Sequence, residues 1–521
     1  MKSASHDFPS RRSVVMANHG LVATSQPLAA QAGLRILMQG GNAVDAAVAT
    51  AAVLNVVEPM STGVGGDLFA LTYVAKTDEL TALNGSGRAP LAISIESLKR
   101  LGETDMPESG PLSITVPGTV DGWATLLERH GTMPLSEVLK SAIEYAERGF
   151  PVSEIIATGW REVEELLQGT AYLIHDRAPR ASEVFRNPEL ARTLRTIAEG
   201  GRDAFYHGAL AETIAQHIQS LGGFLSIDDL AQHASTWDEP ISTEYHDVKV
   251  VECPPNGQGI VALLALNILE GVDLPSLGYG SPAYYHHILE ALKLAFADGF
   301  AHIADPRKVQ VPIEKMLDKR YAATRRSQIS ERASLHNVSG IPRGDTVYLT
   351  VIDKDRNACS FINSIYYGFG SGVVVPGTGI VMQNRGALFS LDEKHPNALA
   401  PGKRPFHTII PAMAFKAGHL WSSFGVMGGH IQPQGHVQVL LNTIDFGMNP
   451  QQALDAPRAV WRFDNCVSIE SGIDAQALAK LGHTVIPAAS FGGGQMIVID
   501  EDSGVLLGGS DPRKDGCALG Y

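Results

Sequence analysis

The sequence predicts an α+β protein, and three observations carry that expectation. Between about Pro134 and Arg332, apolar residues recur at three- and four-residue spacing, as on one face of a helix. From Thr346 onward the pattern turns to β-branched and aromatic residues: Thr346-Val-Tyr-Leu-Thr-Val-Ile352, a turn at 353–357, and a second strand from Ala358 to Tyr366. The chain of 521 residues shows no repeat and no low-complexity tract, and its 44% apolar content and 53 glycines describe a folded, turn-rich protein rather than a disordered one.

The elements follow in order. Residues 1–12 are polar and expected to fray. A helix is predicted from Gln26 to Gln39, with Pro27 in its first turn and Gly40-Gly41 as its stop. A second, Ala43 to Val56, is small and apolar all round and so should be buried. Pro59 and glycines 63, 65 and 66 break it, and Leu68–Tyr73 and Leu80–Leu83 read as strands. Leu135–Arg148, Glu189–Glu199 and Leu210–Leu221 read as helices, Tyr245–Cys253 as a strand, and Gly259–Leu269 and Pro282–Phe300 as further helices. The stretch 325–345 is polar and aperiodic and reads as a long exposed loop.

Composition excludes several function classes. With 41 Lys+Arg against 55 Asp+Glu the net charge is −14, a poor basis for neutralising phosphates, so no nucleic-acid partner is expected. The longest apolar run, 46–57, is too short to cross a bilayer, so no membrane partner is expected either. Cys253, Cys359, Cys466 and Cys517 are scattered without metal or disulfide spacing, and Cys359 reads as core packing. No apolar leader follows Met1, which makes the cytoplasm the expected location.

Familiar catalytic motifs are missing: there is no GxSxG elbow and no P-loop. Gly368-Phe-Gly-Ser-Gly372 precedes a strand-like Val373-Val-Val rather than the helix a dinucleotide loop needs. His286 and Glu290 share a helix face but make at best half a metal site. What remains is the junction at which a polar loop meets a rigid strand, Gly344-Asp345-Thr346. A threonine hydroxyl is a weak nucleophile, but at a chain terminus its own α-amine, titrating near ~8, can serve as its base. Composition alone leaves two readings open, a nucleophile released by cleavage at Asp345–Thr346 or merely the first residue of a strand.

Several separated stretches resemble, in order, the γ-glutamyltransferase family of Ntn-hydrolases. They are Gly20-Leu-Val-Ala-Thr-Ser-Gln-Pro27, Gly40-Gly-Asn-Ala-Val-Asp45, Val57-Glu-Pro59 with Gly63-Val-Gly-Gly66, Thr115-Val-Pro-Gly-Thr119, Gly344-Asp-Thr-Val-Tyr-Leu-Thr350, Phe369-Gly-Ser-Gly372, and Ser510-Asp-Pro-Arg513. The resemblance implies a four-layer αββα sandwich made as an inactive precursor, or zymogen. Autocatalytic cleavage between Asp345 and Thr346 would give a large fragment, 1–345, and a small one, 346–521, that stay associated as a heterodimer; further dimerisation is left open. It implies Thr346 as nucleophile, Ser364 as the assisting hydroxyl and the backbone N–H groups of Gly428 and Gly429 as the oxyanion hole. It implies no metal or organic cofactor and a small-molecule amide as substrate, with the acyl group passed to water (a hydrolase) or to an amine (a transferase).

The sequence departs from the family's glutamyl-binding pattern. Tyr366 stands where an Asn is expected, Gln383-Asn-Arg385-Gly-Ala-Leu388 replaces an acid–amide pair, and His407-Thr408 replaces a serine pair. Ser86 occupies the place of the carboxylate-binding Arg, with Arg88 two residues later. Arg385 repels an ammonium group and Leu388 offers it no acceptor. The pattern resembles a divergent branch that includes oxamate amidohydrolase and cephalosporin-acylase-like proteins. Arg88 and Arg385 are expected to clamp a substrate carboxylate, with Tyr366, His407 and Thr408 lining the same site. The implied function is hydrolysis of a γ-glutamyl, glutathione-type amide or a similar small carboxylate-bearing amide. Oxamate-type and glutaryl- or cephalosporin-acylase-type amides are the alternatives, and a processing-dead binding protein is the alternative of another class.

Overall fold

The helix Ala43–Val57 begins where Asn42 accepts from the N–H groups of Val44 and Asp45 while the Asp45 carboxylate accepts from the Asn42 N–H. All fifteen of its residues are buried, as its apolar circumference requires. In the computed structural model, which describes residues 12–335, 344–488 and 491–521, this helix packs on one of two seven-stranded sheets. That sheet runs in the order Cys517–Gly520, Leu21–Thr24, Asp345–Ile352, Ala358–Tyr366, Asp67–Val74, Glu79–Asn84 and Thr236–Asp238. The other runs Val15–Ala17, Leu506–Ser510, Gly493–Ile499, His419–Met427, Ala412–Lys416, Val248–Glu252 and Ile241–Tyr245. Each sheet contains strands from both sides of residue 346.

Alternation along the strands sorts their side chains into three apolar layers. Val347, Leu349 and Val351 join the helices Pro27–Met38 and Ala43–Val57 on the outer face of the first sheet. Tyr348 and Ile352 face Val251, Met413, Met427 and Ile497 between the sheets. Val250, Ala414 and Phe424 face the helices Gly259–Leu269, Pro282–His302 and Ile431–Ile444 beyond the second sheet. The fold is therefore an αββα sandwich.

The central hairpin is pinned at its far end. Asp353 accepts from the backbone of Asp355 and Asn357 to close the turn, and from the Ala43 N–H at the start of the buried helix, at 3.0 Å. Two elements differ from the sequence reading. Tyr245–Cys253 is not one strand but the end of a hairpin, Ile241–Tyr245 paired with Val248–Glu252, turning at His246 with φ of +53°. Leu135–Arg148 is two helices, Leu135–Val138 and Lys140–Arg148. The loop expected over 325–345 starts with the end of a helix, Lys319–Arg326, and residues 336–343 lie outside the described residues. No described helix is long and apolar enough to cross a membrane.

Candidate active site

Thr346 sits at a register shift. Asp345 lies opposite Tyr366 and Val347 opposite Asn363, so the partner strand bulges by one residue at Ser364-Ile365, and the Ile365 backbone bonds Ser61 and Asn384 instead. A bulge re-aims a side chain at the end of a ladder. Here the Thr346 Oγ1 lies 3.2 Å from the Ser364 Oγ, both residues fully buried. Thr350, the next hydroxyl on the strand, is held instead by Ser423 of the opposite sheet at 2.6 Å.

Ser364 is itself held from two sides. The Tyr366 N–H donates to its Oγ at 2.9 Å and Arg385 Nη2 donates at 3.0 Å. Arg385 Nη1 reaches Thr408 Oγ1 at 2.7 Å, and its guanidinium lies 4.6 Å over the Tyr366 ring. Tyr366 has φ of +80°, a strained turn for a bulky residue, where the strand ends and its ring stacks on Tyr367 at 4.3 Å. Arg385, Tyr366 and Thr408, expected in one site, are thus in direct contact.

His407 is engaged elsewhere than at Thr346. Its Nε2 lies 3.1 Å from Asp67 Oδ2 and its ring packs edge-on against Phe69, and burial holds it neutral, well below the ordinary histidine range. Asp67 lies directly across the sheet from Ser364. Burial pushes its carboxyl up to about 7, against the pull of the Arg385 and Arg404 charges and of the Gly87 and Gly118 N–H groups. Arg88 is the other arginine expected at the site. Its guanidinium reaches the Ala234 carbonyl at 3.4 Å, in a field of Arg307, Asp305, Asp121 and Asp238. Arg404 fills the space behind 84–86 instead, donating to the carbonyls of Ser86 and Asn84.

Gly428 and Gly429 turn the chain from the strand His419–Met427 into the helix Ile431–Ile444 with φ of +119° and +60°. A Cβ on Gly429 would come within 3.0 Å of the Gly344 nitrogen, so the chain entering Thr346 runs directly against this pair. Gln258, which the sequence did not single out, fixes the turn by donating to the Gly429 carbonyl at 2.9 Å and the Thr408 carbonyl at 2.6 Å. His430, buried and neutral, meets Gln258 Oε1 at 2.9 Å. Asn363 braces the second strand, accepting from Asn55 of the buried helix and donating to Thr119 and the Asp67 carbonyl.

The half-site at His286 and Glu290 gains a third residue, His483, with His286 Nδ1 2.9 Å from His483 Nε2. The Lys293 ammonium lies 2.6 Å from Glu290 Oε1 and Ser334 takes the other oxygen, so the cation of this cluster is the protein's own.

The chemistry available at Thr346 is that of a buried hydroxyl with a partnered hydroxyl, a guanidinium one hydrogen bond further, and a glycine turn on the approach. The model of the Gamma-glutamyltranspeptidase family matches residues 29–521. The chain is 42% identical to the glutathione hydrolase-like YwrD proenzyme of Bacillus subtilis, over 97% of this chain and 99% of that one. It is 37% identical to the oxamate amidohydrolase proenzyme of Klebsiella pneumoniae, over 97% and 99% respectively. The crystal structure of a cephalosporin acylase from Bacillus halodurans superposes with a TM-score of 0.94 at 46% identity, covering 99% of this chain and 98% of that one. The chain belongs to the gamma-glutamyltranspeptidase family of self-processing Ntn amidohydrolases.

Proposed function

We propose that Thr346, released as a chain terminus by cleavage after Asp345, is the nucleophile of an amidase acting on small carboxylate-bearing amides. The observation that carries this reading is the 3.2 Å contact of Thr346 Oγ1 with Ser364 Oγ beside the bulge of the partner strand, where the approach to Thr346 runs against the glycine pair. In the cut protein the α-amine of Thr346 takes the hydroxyl proton as Oγ attacks the amide carbonyl. The N–H groups of Gly428 and Gly429 receive the developing oxyanion, and the amine returns the proton to the leaving nitrogen. Water then resolves the acyl-enzyme. Both fragments stay together because each sheet interleaves strands from before and after the cut.

Arg385 selects the acyl group. It stands two hydrogen bonds from Thr346 Oγ1 by way of Ser364, with an Nε–H that has no partner among the described residues. A carboxylate next to the scissile carbonyl, as in an oxamate-type amide, reaches that distance. The α-carboxylate of a γ-glutamyl group lies three methine or methylene carbons further on, and Asp67, the carboxylate nearest in the sheet, is taken by His407 and cannot serve its ammonium. The relative named for oxamate supports the same choice.

Two measurements test this. Intact mass of the wild type should show two pieces, one starting at Thr346, while Thr346→Ala stays whole. The processed enzyme should then release ammonia from oxamate faster than it cleaves a γ-glutamyl anilide. An uncut wild type overturns the nucleophile, and a preference for the anilide overturns the choice of acyl group.

A further inference from the structure

We infer that Gln258 is a positioning residue whose side-chain NH2 group ties the anchor of Arg385, at Thr408, to the glycine turn at Gly429, and whose amide oxygen holds His430 as its Nδ1–H tautomer. The inference rests on the reaction proposed at Thr346 and adds what keeps its two binding groups in register. Gln258 is fully buried at the start of the helix Gly259–Leu269, and its backbone N–H donates to the His407 carbonyl at 3.0 Å. Its side chain meets the Thr408 carbonyl at 2.6 Å, the Gly429 carbonyl at 2.9 Å and His430 Nδ1 at 2.9 Å. A glutamine amide has two protons on its nitrogen and only acceptor positions on its oxygen. Carbonyls cannot donate, so the atom facing both of them is the nitrogen, with one proton for each. The oxygen then faces His430, and because it too cannot donate, His430 Nδ1 carries the proton. In the neutral ring Nε2 is left as an acceptor.

The two carbonyls come from the two arms of one hairpin. Thr408 precedes the strand Ala412–Lys416 and Gly429 follows His419–Met427; Ala412 pairs with Phe424, and both carbonyls lie beyond that pair at the same end. One nitrogen spans this end. On one arm Thr408 Oγ1 holds Arg385 Nη1 at 2.7 Å, the guanidinium proposed to grip the substrate carboxylate. On the other, Gly429 belongs to the turn proposed to receive the oxyanion. A change at Gln258 therefore reaches binding and turnover together. Methionine fills the same space with no donor. Glutamate keeps the shape but exchanges the NH2 for an oxygen, which donates to one carbonyl only while protonated. The ionisable groups around this position are His430, His407, Arg385 beyond Thr408, and Glu252, whose Oε2 a Cβ on Gly259 would meet at 3.0 Å. Arg385 favours an ionised carboxyl here, whereas burial, Glu252 and the two carbonyl dipoles oppose it, which moves its titration up into the range of the assay.

The test compares the processed wild type with Gln258→Met and Gln258→Glu across pH 5–9, on oxamate and on p-nitrophenyl acetate, an activated ester with no carboxylate. We expect Gln258→Met to lose roughly tenfold in kcat on the ester and to raise KM for oxamate several-fold at every pH, the scale of one or two ordinary hydrogen bonds. Gln258→Glu should come close to the wild-type rate at pH 5 and fall to the level of Gln258→Met by pH 9, read as a ratio to wild type so that titration of the Thr346 amine cancels. Wild-type rates in Gln258→Met, or a ratio for Gln258→Glu that stays flat with pH, would overturn the positioning role. A second measurement needs no cleavage and carries the test if the Gln258 variants stay uncut: NMR of the labelled imidazole nitrogens in whole Thr346→Ala, with His430 assigned by adding His430→Gln. His430 should be the neutral Nδ1–H tautomer from pH 5 to pH 8, and an Nε2–H tautomer would overturn the amide orientation and the inference with it. Ester turnover that persists in Thr346→Ala would instead sink the nucleophile and leave the His430 signal as it is.

Discussion

Asp67 gives the most quantitative consequence of this site. It is fully buried with a carboxyl pushed up to about 7, whereas in the unfolded chain it titrates at the ordinary 3.8. Between those values the native protein holds a proton that the unfolded one has lost, so this group's contribution to stability falls as pH rises from about 4 to 7 and is constant above. Two of those three units lie between pH 5 and pH 8. At 1.36 kcal/mol per unit this amounts to roughly 3 kcal/mol. An unfolding entropy near 2.1 cal/mol/K per residue over 521 residues converts it to about 3 °C in Tm. Asp67→Asn keeps the shape and an acceptor for the Gly87 N–H but cannot ionise. The assay is thermal unfolding at pH 5, 6, 7 and 8, comparing Thr346→Ala with Thr346→Ala/Asp67→Asn so that both chains are whole. The Asn variant should gain about 3 °C relative to its parent between pH 5 and pH 8. The groups facing Asp67 are Arg385, Arg404, His407 and the N–H groups of Gly87 and Gly118. If the two arginines and the amides outweighed burial, the difference would stay flat or reverse, and the reasoning would be refuted.

Two further outcomes are expected. Asp511 is buried and accepts from Arg458 at 2.6 Å, from the Gly494 N–H at 2.8 Å and from Arg513. Asp511→Asn leaves the buried Arg458 short of its counter-charge and should cost about 3–5 kcal/mol, read as a comparable loss in °C by thermal unfolding; a change under ~1 °C would contradict it. Gly429→Ala places a methyl 3.0 Å from the Gly344 nitrogen at φ of +60°. It should slow the cut at Thr346 several-fold on a gel time course, with a fold penalty of only about 1–2 kcal/mol.

The parts legible in the sequence are those whose causes are local. The buried helix at 43–57 announces itself through its Asn42 cap and its apolar circumference, and the hairpin through β-branched residues around a polar turn. Thr346 and Ser364 belong to that hairpin, so their pairing follows from its register. The hairpin at 241–252 was hidden because its turn uses His246-Asp247, with neither Gly nor Pro to mark it. Asp67, Gln258 and the Arg385–Thr408 contact were hidden for another reason. Each comes to the site from a different element, joined only by sheet pairing and packing that no short window contains. The surroundings of Arg88 were hidden on the same ground. Its guanidinium reaches the Ala234 carbonyl, while Arg404, from a distant part of the chain, holds the carbonyls of Asn84 and Ser86.

Tyr521 lies beside the first described strands: it exchanges hydrogen bonds with His19 and Gly20, and the strand Cys517–Gly520 pairs with Leu21–Thr24. A short linker can therefore join residue 521 to the region of residue 13 without disturbing either sheet, and the gene can be reopened between codons 345 and 346. Such a circularly permuted chain would carry Thr346 directly behind the initiator methionine, whose removal exposes the threonine without any internal cut. Maturation and catalysis, which on the reading proposed above share Thr346 in the natural order, would become separable by engineering, and substitutions that block the first could be tested for the second.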